Sequence, residues 1–426
     1  MILKIFSKNK NIVFVFLTSF LYFSVNAFLN KYIAENFGTS GLLEFNYAFN
    51  LFIILFTVAC FGSETALVRQ SIFFERENIE GFKELYSAIS FFGILISVPV
   101  IVIFSVSYFQ KNLHTIFLSL LIIFSAFFIQ FIRIQLLRNQ LGYVLQIIQS
   151  VILFIIVILL LFQENPSRDN FYIFLIFANL LTYFLILILI FFLKPFRFKD
   201  IPLPYPKNLR NSEQINNIKT VIKIASMTLI STILFNYSEV FLRDISISNG
   251  YSENIANVEA YLRITSWWVG MGLALISFFY FPFFTKRISE DKLMTNFYTL
   301  KKIFPVFIAL SILGSIFSFI LFDFTFGKLF QIDLLVLFLF VISGFCKLIG
   351  ISFLALHQIE LRFRIYVVGQ FIMHCLIVLI FYFLFKFNFE FSVNLFSKIY
   401  LFTNFLFMVT MIFSRALAIN FQLNSN

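Results

Sequence analysis

Thr228, Thr232, Asn236, Glu239 and Arg243 follow one another by four, four, three and four positions in an otherwise oily stretch. On an α-helix these steps hold all five side chains on one face. Glu239 and Arg243 stand at the spacing of a helical ion pair, and Glu259 and Arg263 repeat it. Asn26 and Asn30, with Tyr22 one turn earlier, make a second polar face, and Asn46, Asn50, Thr57 and Glu64 make a third. Gln130 with Arg133, and Gln146 with Gln149 and Ser150, add further polar positions, while Lys347 stands alone near the middle of an apolar run from Leu334 to Leu356. These groups donate and accept hydrogen bonds and carry charge. Such chemistry lines a wet passage or ties helices together. His114, His357 and His374 are too scattered for a metal-ligand cluster. Cys60, Cys346 and Cys375 are odd in number and sit in apolar stretches, so they read as core residues outside any disulfide framework.

The elements that position these residues are membrane spans. Hydrophobic residues make up 60% of the chain, charged residues 12%, and 68 of 426 residues are Phe. No soluble surface is that greasy. The chain reads as an all-α polytopic membrane protein with about twelve spans of roughly 20 residues, each long enough to cross a bilayer core. They are drawn at Ile12–Ile33, Phe45–Leu67, Leu85–Phe109, Ile116–Leu137, Tyr143–Phe162, Phe171–Leu193, Ile222–Phe241, Tyr261–Phe284, Phe304–Phe322, Leu334–Leu356, Ile365–Phe385 and Phe396–Phe413. The runs do not alternate apolar with polar residues, which excludes a β-barrel. The amino-terminal run continues through Phe28 to Ile33, so it is read as an uncleaved first span rather than a signal peptide.

The longest polar stretch, Lys194 to Lys223, carries seven basic residues and Pro195, Pro202, Pro204 and Pro206. Prolines at that density favour an extended linker. The expected organisation is a six-span lobe over 1–193, a basic cytoplasmic linker over 194–221 and a second six-span lobe over 222–426. With both termini cytoplasmic, 24 of the 32 Lys and Arg residues fall on the cytoplasmic side and 8 on the other, the asymmetry that sets topology. In that count Arg362, Arg364 and Arg415 are cytoplasmic loop charges, and Arg133, one turn from Arg138, snorkels to the same surface. Each half places a glycine-containing polar loop after its first span and basic residues after its second. That is the pattern of parallel repeats related by an axis along the membrane normal. The net charge of +11 is thereby accounted for by topology, with no nucleic-acid partner implied.

Polar side chains at membrane depth are costly. The asparagines either line a hydrophilic cavity or join helices by interhelical hydrogen bonds. Glu239, Arg243 and Arg263 either line that cavity or pair at the outer interface. Lys347 either faces a partner or water, or lies nearer the cytoplasmic edge, where the charge count places it.

Several stretches resemble a known family. These are Asn36-Phe37-Gly38-Thr39-Ser40-Gly41 with Leu42 to Gln70, Phe241-Leu242-Arg243-Asp244, Tyr261 to Trp267, and Phe281-Pro282-Phe283-Phe284-Thr285-Lys286-Arg287-Ile288-Ser289. Phe345-Cys346-Lys347-Leu348 and Leu361-Arg362-Phe363-Arg364-Ile365 extend the likeness. Together they are similar to the O-antigen translocases and enterobacterial common antigen flippases of the multidrug/oligosaccharidyl-lipid/polysaccharide (MOP) exporter superfamily. Where related sequences carry acids before the tenth-span lysine and early in the eleventh span, this chain has Ser343-Gly344 and Val367-Val368. The resemblance implies two six-helix lobes related by a pseudo-two-fold axis in a bacterial inner membrane. It implies that an undecaprenyl-diphosphate-linked sugar unit is flipped to the periplasmic leaflet by alternating access, in association with polysaccharide polymerase and chain-length machinery. Arg243, Arg263 and Lys347 would contact the diphosphate, and Asn26, Asn30, Asn46, Asn50 and Asn236 the sugar. Glu64, Glu239 and His374 would be the groups to couple an ion.

A drug or cation exporter on the same scaffold is the alternative. A polysaccharide polymerase or glycosyltransferase is a more distant one, because the external loops are short and no Asp-x-Asp occurs. No Gly-rich phosphate loop is present, so neither an ATP-driven step nor a cofactor is expected.

Overall fold

In a computed structural model of the chain, the described residues are 10–73, 79–108, 142–164, 167–193, 212–277 and 293–423, with single positions at 121, 129, 130, 132–134, 136 and 281. Most of the predicted fourth span, the linker up to residue 211, His114 and the end of the eighth span lie outside them. Among the described residues every regular element is helical. In chain order these are α1 (Lys10–Ala59), α2 (Glu64–Phe73), α3 (Ile79–Tyr108), α4 (Gly142–Leu160), α5 (Arg168–Leu193), α6 (Ser212–Ser248), α7 (Ser252–Leu275), α8 (Leu293–Phe326) and α9 (Leu334–Ile359). Then come α10 (Phe363–Gln370), a π-helical turn (Phe371–Cys375), α11 (Leu376–Lys386) and α12 (Val393–Leu423). Seven of these helical stretches are long and apolar enough to cross a membrane.

Several boundaries differ from the sequence expectation, each for a local reason. The first two spans lie in one helical run whose apolar part, Leu17–Ala59, has 43 residues. At 1.5 Å per residue that is about 65 Å, roughly two bilayer cores. Gly38 (φ 64°, ψ −157°) interrupts it in a conformation open to glycine, so the expected polar loop is a kink. Beside the kink Glu35 meets Lys31 at 3.9 Å and Lys328 at 3.0 Å.

The second span does not run unbroken to Leu67. Phe61 (φ 52°) and Gly62 (φ 57°) are both left-handed, and the Gly62 N–H donates to Thr57 O at 2.9 Å, closing α1 before α2 starts. The seventh span is also longer than expected. Helix begins at Ser212, six residues after the last proline of the linker, Pro206.

Contacts divide the chain into two compact units, Met1–Leu43 with Leu234–Asn426, and Glu44–Ile233. In the first, α9 lies along α12 and against α7 and α8. The abundant phenylalanines build its core. Tyr261 stacks on Phe322 (centroids 4.5 Å) and Phe340 (5.4 Å), and Phe381 on Phe396 (5.1 Å). On α8 the residues Ile308, Ile312, Ile316, Ile320 and Phe324 are exposed at every fourth position, the face a helix turns to lipid. In the second unit α4 pairs with α5, and Phe45 meets Phe171 edge-on at 5.4 Å.

Helix α9 starts where Asp333 caps it. The carboxylate accepts from Leu335 N–H (2.9 Å) and Val336 N–H (3.2 Å), and the Asp333 N–H donates to Tyr261 Oη at 2.7 Å. Asp333→Ala is expected to cost about 1 kcal/mol, the usual value of an N-cap. The check is a lowered thermal unfolding midpoint of the detergent-solubilised protein, with Asp333→Asn restoring most of the loss.

Candidate functional site

Helices α6 and α7 form an antiparallel hairpin around Asn249–Tyr251, where Gly250 takes φ 86°. Arg243 lies seven residues before that glycine and Glu259 nine after it; Glu239 lies eleven before and Arg263 thirteen after. The two cross-pairs are therefore level with each other along the hairpin. Arg243 Nε meets Glu259 Oε1 at 2.5 Å, with the two residues 2% and 7% exposed. Glu239 and Glu259 both lie within electrostatic reach of Arg263. Beside the expected Glu239–Arg243 spacing along one helix, the structure pairs Arg243 with Glu259 across the hairpin. Pairing Arg243 with Glu259 offsets part of the cost of burying both charges. The sequence carried the signal for this in the similar distances from Gly250, each partner beyond the turn lying two residues farther out.

Three groupings of sequence-predicted residues fall in the unit that holds this hairpin. The first is the charge quartet itself, joined by Tyr22, whose ring lies within electrostatic reach of Arg263. The second is the asparagine pair, in which Asn30 Nδ2 donates to Asn26 Oδ1 (2.7 Å) and Asn26 O (2.8 Å). This is a hydrogen bond within one helix, which satisfies the buried Asn30 amide N–H locally. The third joins Lys347, Phe235 and His374. The Lys347 ammonium lies over the Phe235 ring, 5.0 Å from its centroid, and the His374 ring meets the same ring edge-on at 5.1 Å. Asn236, the next residue after Phe235, is 1% exposed.

Asn46, Asn50 and Glu64 belong to the other unit. Glu64 lies 3.0 Å from Arg133 Nε. Arg133 therefore holds a carboxylate, and its guanidinium also faces Phe56 at 5.8 Å and Tyr183. The helix break beside Glu64 is held by side chains the sequence reading left unassigned. Gln130 Nε2 donates to Ser63 Oγ (2.5 Å) and to Cys60 O (3.3 Å), and Ser97 Oγ donates to Val58 O (2.6 Å).

Arg415 was expected in a cytoplasmic loop, yet it lies inside α12 and is 1% exposed. Its Nη1 donates to Glu360 Oε2 at 2.5 Å, and Arg362 Nε reaches the same oxygen at 2.9 Å. Nearby His357 Nε2 and Ser414 Oγ are 2.9 Å apart. Counting charges by segment could not anticipate this, because Glu360 and Arg415 are 55 residues apart. Among the described residues no group of His, Cys, Asp and Glu is placed to hold a metal ion.

No family model matches the chain, and no curated protein matches it. Solved structures do. An outward-facing multidrug resistance MATE family transporter of the MOP superfamily aligns with a TM-score of 0.67 at 14% identity, over 98% of this chain and 97% of that one. A MATE structure in complex with MaL6 aligns with a TM-score of 0.69 at 14% identity over the same shares. An inward-facing MATE family transporter of the MOP superfamily gives 0.62 at 16% identity over 94% of each chain. The chain shares the fold of these structures over nearly its whole length, and among the described residues every regular element is helical.

Proposed function

We propose that this protein moves its cargo across a membrane by alternating access, with lobes 1–193 and 222–426 rocking around a polar passage. The observation that supports transport most is the likeness, over nearly the whole chain, to both outward-facing and inward-facing transporters.

For the cargo we favour a lipid-linked oligosaccharide, an undecaprenyl-diphosphate-linked sugar unit delivered to the periplasmic leaflet of a bacterial inner membrane. Both termini would be cytoplasmic and polysaccharide polymerase the downstream partner. The charge inventory supports this. Glu259 is engaged by Arg243 and Glu239 acts on Arg263, so the hairpin acids are already matched by cations, while Lys347 faces an aromatic ring and a histidine. A surplus cation suits an anionic headgroup, which cannot cross hydrocarbon unaided.

The second reading, a drug or small-molecule exporter of the same scaffold, is the one the comparisons favour, since the aligned structures are multidrug transporters. Proteoliposomes separate the two. Flipping of a fluorescent polyprenyl-diphosphate sugar without efflux of ethidium is the expected result. Ethidium efflux without flipping would replace the first reading by the second.

A further inference from the structure

The eleventh span contains a π-helical turn, Phe371–Cys375, between α10 and α11. Such turns insert one residue into an α-helix and are frequent at functional sites. Here the turn leaves Phe371 47% exposed and turns Met373 and His374 inward, to 7% and 5%. His374 thereby comes against Phe235 of α6, and Lys347 of α9 comes against the same ring. Three helical elements thus place an ammonium and an imidazole around one aromatic side chain.

Neither Lys347 nor His374 makes a hydrogen bond or an ion pair to any described residue, and Lys347 is the charged group that acts on His374. A lysine at this depth is costly, and a π face returns only part of that cost. An ammonium has three N–H donors and the imidazole at least one. With one direction taken by the ring, the remaining donors lack an acceptor. Both groups lie about 5 Å from the Phe235 centroid, so they are at most about 10 Å apart. Within that limit the two linked phosphoryl groups of a diphosphate offer acceptors to both donors.

We propose that Lys347 and His374 form a binding site for a phosphate-type anion, with Lys347 as the charged contact, His374 as an N–H donor and Phe235 as the wall between them. The site deepens the lipid-diphosphate reading and rests on it. It moves the diphosphate contact away from Arg243 and Arg263, which the hairpin acids already occupy, to the residues around the π turn.

The test is binding of farnesyl diphosphate and of inorganic diphosphate to the full-length protein in detergent, by calorimetry. Lys347→Met should weaken farnesyl diphosphate binding roughly 10- to 150-fold, the worth of a charge-assisted bond, and Lys347→Arg should retain most of it. His374→Ala should weaken binding roughly 2- to 10-fold, with His374→Asn, which keeps an N–H donor, close to wild type. Unchanged affinity in both Lys347→Met and His374→Ala, with unfolding midpoints like wild type, overturns the site while leaving the lipid-diphosphate reading in place. Wild-type protein that binds neither probe overturns both. Parallel losses for the two probes identify recognition of the phosphate group itself, and losses seen with farnesyl diphosphate alone identify the lipid headgroup.

Discussion

An Arg243→Ala protein is expected to lose about 3–5 kcal/mol of stability, the cost of leaving one buried charge without its partner. Glu259, 7% exposed, would keep its carboxylate in the hairpin interior with its 2.5 Å contact gone. The measurement is the thermal unfolding midpoint in detergent together with the amount of protein in the membrane fraction; both should fall. Replacing both residues by apolar ones of similar size, Arg243→Met with Glu259→Leu, removes both charges and should recover most of the loss. A single Arg243→Ala variant with wild-type midpoint and wild-type abundance would show that the pair does not hold the hairpin. The double variant also separates roles, because a stable protein that still transports would place Arg243 in architecture alone.

Gly62→Ala is expected to be as damaging, for a different reason. Gly62 has φ 57°, and a Cβ there would stand 2.7 Å from Ala225 O and 2.8 Å from Leu229 N. Those are main-chain atoms of α6, which cannot swing aside as a side-chain tip can. The left-handed backbone costs a residue with a Cβ about 1–2 kcal/mol, and forcing the contact about 1–3 kcal/mol more. Gly38 supplies the internal control, since it has φ 64° with nothing within 4 Å of its Cβ position. Gly38→Ala should therefore show the backbone cost alone, about 1–2 kcal/mol. Equal unfolding midpoints for the two variants would mean that α1 and α6 do not approach as closely as described.

Much of the fold was legible because hydrocarbon imposes simple rules. Runs such as Leu334 to Leu356 announced helices, and the polar steps from Thr228 to Arg243 announced one face. What stayed hidden depends on pairs distant in sequence. Glu64 with Arg133, and Glu360 with Arg415, meet only when separate helices pack, and no local spacing encodes them. The hairpin quartet lies between these cases. The i, i+4 rule pointed along each helix, while the Arg243–Glu259 pair across the turn was readable only from their similar distances to Gly250. The break after Ala59 had one visible mark, Gly62, because Phe61 is not a residue expected in a left-handed conformation.

The π turn makes the eleventh span sensitive to its exact residue count. Deleting one residue between Phe371 and Cys375 would restore an unbroken α-helix of nearly the same length, so hydropathy and topology would register almost no difference. Everything downstream would nonetheless rotate by about 100°. Phe381, now stacked on Phe396, and Phe385, now stacked on Phe391, would swing out of the aromatic core towards the surrounding acyl chains. An in-frame loss of a single codon here would thus act as a rotational mutation, leaving the helix inserted but aiming its side chains at the wrong neighbours.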